Sequence, residues 1–88
     1  MTRAGNALKI VLETHSISRN RLAIAMGVDR SNVSHWVSGE RDPVADAVYG
    51  IHQALHQLNP EAAALFVRLY LHGEDGGEDN SDGDYRNR

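Results

Sequence analysis

The stretch from Leu22 to Pro43, LAIAMGVDRSNVSHWVSGERDP, sets Arg30, Ser31, Asn32, Ser34 and His35 within six residues. These side chains donate and accept hydrogen bonds. An arginine fork and short hydroxyls suit base edges and phosphate oxygens. No serine in the chain sits in a nucleophile-elbow sequence, and no glycine-rich phosphate loop is present. The chemistry these residues can do is recognition, without bond making.

Other constellations offer less. His52 and His56 stand four residues apart, a spacing that can hold a metal on a helix. They have no cysteine to join them and no acid between them at the zincin position, so they read as surface or interfacial histidines. The chain has no cysteine at all, which removes disulfides, thiolate metal cages and cysteine nucleophiles. The acids of EDGGEDNSDGD lack the ordered spacing and flanking helices of a calcium loop. We expect neither an enzyme nor a cofactor.

A recognition surface for a polyanion sits oddly in a chain of net charge −3. The imbalance is local. From Gly73 onward six acids (Glu74, Asp75, Glu78, Asp79, Asp82, Asp84) face Arg86 and Arg88, a net of −4. Residues 1–72 carry seven bases and six acids, a net of +1, and the first 41 carry six bases and three acids, a net of +3. Residues 73–88 are glycine-rich with Tyr85 as the one large apolar group, too little to offset ordering entropy. They read as a disordered acidic tail. The longest apolar run, Ala62 to Val67, is far too short to span a bilayer, and the N-terminus has no signal-peptide pattern. The expected setting is cytoplasmic.

The elements that must position these groups are helices. No stretch alternates in the manner of a strand. The first helix is expected from about Ala7 to Thr14, with Asn6 as its cap. Ser18 caps the second, with Ile17 and Leu22 at staple spacing, and Gly27 ends it. Asp29 caps the third, Val28 and Val33 repeat the staple, and Gly39 ends it. Asp42-Pro43 predicts a fourth start, followed by a stripe of Val44, Val48, Ile51, Leu55 and Leu58. Asn59-Pro60 predicts the fifth, which runs to Gly73.

After Gly27 only Val28 and Asp29 separate the second helix from the third, which forces a sharp crossing. Ala23 is small enough to allow it. The pattern L-A-x-x-x-G-V-x-x-x-x-V-S-x-W-x-x-G is matched at Leu22, Ala23, Gly27, Val28, Val33, Ser34, Trp36 and Gly39. This resembles the Cro/cI, or Xre-type, helix-turn-helix domains. The resemblance runs from about Leu8 to Leu58 and loosely into the fifth helix. It implies an all-α, five-helix lambda-repressor-like fold with a helix-turn-helix at helices two and three. It further implies a DNA-binding transcription regulator, often dimeric. Family members often open the third helix with Ser or Thr and then Gln. This chain has Asp29 and Arg30 instead, so no base preference is carried over.

Phasing the third helix at about 100° per residue puts Val33, Trp36 and Val37 on the core side. Ser31, Ser34, His35 and Ser38 then face outward, with Arg30 and Asn32 on the flanks at the N-terminal end. A recognition helix leads with that end. The base-contact candidates are therefore Arg30, Ser31, Ser34 and His35, with Asn32 behind them. Arg30 can fork onto guanine, and His35 can donate to a guanine or a phosphate through a nitrogen the sequence does not specify. The resemblance implies phosphate contacts at Arg19, Asn20, Ser38 and Arg41. Glu40 and Asp42 read as loop and cap residues.

The fifth helix has two apolar faces. Ala62, Leu65, Phe66 and Leu69 form one. Ala63, Val67, Tyr70 and Leu71 form a second, which predicts a homodimer interface, the alternative being that the tail or a neighbouring helix covers it. Residues 1–72 are thus expected to be a DNA-binding domain whose last helix, about 60–72, dimerises. Two further readings compete with a plain regulator. One is an antitoxin whose acidic tail binds a toxin. The other is a protein-interaction adaptor that uses the fold without reading DNA. The tail could also fold back on the basic face and weaken non-specific contacts.

Overall fold

Ser18 and Asn59 decide where two helices begin, and each does so with its own side chain. Ser18 Oγ accepts from the Arg21 backbone N–H at 3.0 Å, and Asn59 Oδ1 accepts from the Glu61 N–H at 3.0 Å. Each satisfies one of the donors that a helix leaves unpaired at its start. The computed structural model describes residues 3–73. These form α1 (Arg3–Thr14), α2 (Arg19–Met26), α3 (Arg30–Ser38), α4 (Ala45–Leu58) and α5 (Pro60–His72), with no strand among the described residues. The acidic tail, from Glu74 onward, lies outside them.

The α2–α3 turn follows from Gly27, whose φ of 74° lies in the left-handed region. A glycine occupies that region without a Cβ penalty. Val28 N–H then donates back to the Ala23 carbonyl at 3.0 Å, closing the turn over a buried Ala23. Gly39 ends α3 in the same way at φ 87°. Asp29 occupies the cap position of α3 with extended backbone, but its side chain makes no capping hydrogen bond. The two caps should therefore respond differently to alanine. Ser18→Ala is expected to cost about 1 kcal/mol, and Asp29→Ala only a few tenths, in urea unfolding. Equal losses would show that Asp29 caps α3 in solution.

Two starts differ from expectation. The first helix begins at Arg3, four residues before Ala7, so Asn6 lies inside it and is not its cap. The reason is tertiary. Ala4 is buried, α1 packs on α5, and the Arg3 guanidinium reaches the Tyr70 carbonyl at 3.5 Å. The fourth helix begins at Ala45, with Val44 at the cap position, and not at Asp42-Pro43. Pro43 is buried beside Arg3, Ala4, Tyr70 and Leu71, which holds the chain extended past the expected start. Val44 consequently leaves the apolar stripe and is 71% exposed.

The five helices share one core. α1 packs on α3 and α5, α2 on α3 and α4, and α4 on α5. Leu8, Val11, Leu22, Val33, Ile51, Leu55 and Phe66 are fully buried at its centre. A Cβ at Gly50 of α4 would stand 3.3 Å from the Met26 methyl of α2, the flexible end of a side chain.

The second face of α5 is corrected in part. Ala63 is 1% exposed and belongs to the core, so it has no surface to give a partner. Tyr70 is half-buried against the core, with its ring parallel to Phe66 at a centroid distance of 5.9 Å. Contact with both α1 and α4 makes α5 bury a wide arc, where one neighbour would have taken a single stripe. Val67 remains half-buried and Leu71 is 60% exposed.

Candidate nucleic-acid interface

The inner face of α3 is anchored by Val33, Trp36 and Val37, all buried. That anchoring turns the polar side of the helix outward. Arg30, Ser31 and Ser38 are exposed, while Asn32, Ser34 and His35 are half-buried. One surface hollow is lined by Arg19 of α2, by Arg30, Ser31, Ser34, His35 and Ser38 of α3, and by Asp29 and Glu40 at the two ends of α3. It joins four of the five base-contact candidates to two of the four phosphate-contact candidates. Asn32, Asn20 and Arg41 do not line it. Asn20 and Arg41 are exposed beside it in sequence, and the Arg41 N–H donates to the His35 carbonyl at 3.2 Å.

Two features bear on how this surface could bind. Ser38 has one hydroxyl proton, and it is engaged by the His35 carbonyl at 3.2 Å, or alternatively by Glu40 at 3.5 Å. In this arrangement Ser38 offers a phosphate no donor. The charges lining the hollow also cancel, with Arg19 and Arg30 against Asp29 and Glu40. A positive margin has to come from the exposed bases around it, Arg21 and Arg41.

Sequence reasoning missed two participants. Glu40 lies in the loop after α3. Its carboxylate stands 2.6 Å from His35 Nδ1. The hydrogen bond from His35, and then the charge of that ring, hold the carboxyl below the usual carboxylate range. Lys9 of α1 is exposed and shares the neighbouring hollow with Ser18 and Arg19. It thereby adds a cation near the N-terminal turn of α2. No local spacing joins Lys9 to Arg19; they meet across a hollow that Leu12, Ile17 and Val37 also line.

His52 and His56 show what remains of the metal question. Their rings lie 6.4 Å apart and tilted by 37°. Among the described residues no group of three candidate ligands comes together, and no helix is long and apolar enough to cross a membrane.

No protein-family model, curated protein or solved structure matches this chain.

Proposed function

We propose that this chain is a sequence-specific DNA-binding transcription regulator with the lambda-repressor-like arrangement of five helices. In this reading α2 and α3 are the helix-turn-helix, and α3 enters the major groove. The observation that carries it is the hollow that gathers Arg19 with Arg30, Ser31, Ser34 and His35 on the solvent side of α3. Base-edge donors and acceptors lie on the helix, with cations on the neighbouring α2 to hold phosphates. Arg19, at the first turn of α2, would act together with the free N–H groups there. Lys9 joins this phosphate side.

The same reading gives a homodimer through the C-terminal turn of α5, now centred on Leu71 and Val67. A two-fold dimer presents two recognition helices and reads a near-palindrome with half-sites about 34 Å apart.

Selection from a random duplex pool, followed by a salt titration, tests both parts. The expected outcome is a palindromic site bound with steep salt dependence, a slope of about −0.9 per neutralised phosphate. Leu71→Asp is expected to keep the fold and return single half-sites bound by a monomer. Binding without a common sequence or salt dependence would favour the adaptor reading. A palindrome still bound by a dimeric Leu71→Asp would place the interface elsewhere.

A further inference from the structure

Glu40 lies just past the end of α3, where the left-handed turn at Gly39 brings its carboxylate back to His35. An ionised carboxylate can only accept hydrogen bonds. The proton shared at 2.6 Å therefore belongs to His35 Nδ1. In the neutral ring the other nitrogen, Nε2, must then carry a lone pair. Among the described residues Nε2 has no hydrogen-bond partner, and the ring lines the hollow on α3.

We propose that Glu40 is a positioning residue that sets which base His35 reads, by holding the proton on Nδ1 and presenting Nε2 outward as an acceptor. The proposal rests on α3 being the DNA-reading helix. An acceptor in the major groove finds donors only on the adenine N6 and cytosine N4 amino groups. Guanine O6 and N7 are acceptors, as are phosphate oxygens, so the neutral ring is turned away from both. This reverses the expectation that His35 donates to a guanine or phosphate. Protonation converts Nε2 into a donor and inverts the preference toward guanine. The other charged groups lining the hollow with the ring are Arg19 from α2 and Asp29 and Arg30 at the start of α3, with none from α1; Arg41 lies beyond Glu40, its N–H on the His35 carbonyl.

Two measurements on the full chain test this. In nitrogen-resolved NMR, neutral His35 is expected as the Nδ1–H tautomer. Glu40→Ala should shift it toward Nε2–H, the form an unpartnered imidazole favours. Pool selection is then run above and below the His35 titration midpoint read from the same spectra. Above it, the wild type is expected to prefer adenine or cytosine over guanine about tenfold at one position per half-site. Below it, guanine takes over at that position. Glu40→Ala should lose the preference there while keeping the rest of the site and its unfolding temperature. A neutral wild-type ring protonated on Nε2 overturns the proposal. So does a base preference that ignores both pH and Glu40→Ala, and DNA reading then still stands. A pool that yields no common sequence removes the underlying reading, and this proposal with it.

Discussion

Replacing Phe66 with alanine is expected to cost about 3–5 kcal/mol of folding stability. Phe66 is 1% exposed on α5, a helix that packs on both α1 and α4. Its removal leaves a cavity that three helices would have to close together, and rigid helix backbones collapse only partly. A domain of this size holds about 4–10 kcal/mol in all. The variant should therefore melt about 15–30 °C lower, measured by circular dichroism. Tyr70 stacks on Phe66 at 5.9 Å, so a double-mutant cycle should return a coupling of about 0.5–1.5 kcal/mol. Leu71→Ala is the control. Its side chain is 60% exposed, and it should change stability by less than about 0.5 kcal/mol. A Phe66→Ala loss no larger than that of Leu71→Ala would show that α5 is not held on the core in solution.

Arg30→Ala is expected to weaken binding to the selected site by about 1–3 kcal/mol and to relax the preference at one base pair per half-site. Arg30 stands exposed at the first position of α3, the end that would lead into the groove in the proposed reading. Arg19→Ala should behave differently. Its position on α2 suits a phosphate, so affinity should fall alike on selected and random DNA, with the salt slope reduced by about 1. Binding isotherms on both DNAs at several salt concentrations separate the two outcomes. Should Arg30→Ala lower affinity equally on both DNAs, Arg30 is a phosphate contact and the base reading moves to Ser31, Ser34 and His35.

Much of the fold was legible because it depends on near neighbours. Ser18 reaches an N–H three residues away, Asn59 one two residues away, and Gly27 and Gly39 need only their own φ. The inner face of α3 was also readable, since one turn of helix relates Val33, Trp36 and Val37. From that phase the outward set of Ser31, Ser34 and His35 followed directly. The misplaced starts of α1 and α4, and the burial of Ala63, share another cause. Arg3 meets Tyr70 across 67 positions, and Pro43 sits against both ends of the chain's helical run. Glu40 is a subtler case. It is five residues from His35, yet helical spacing fails across the break at Gly39, so no periodicity signalled the pair.

The sequence by itself determined the helical class, most of the helix ends and the polar face of α3. Capping, glycine conformation and a 3.6-residue period are properties of segments shorter than ten residues. Only the tertiary structure decided which apolar residues stay uncovered on α5, which cations gather around Arg19, and that His35 meets Glu40 through Nδ1. Each of these depends on where a distant segment or a reversed chain end comes to rest, and that is settled by the packing of all five helices together.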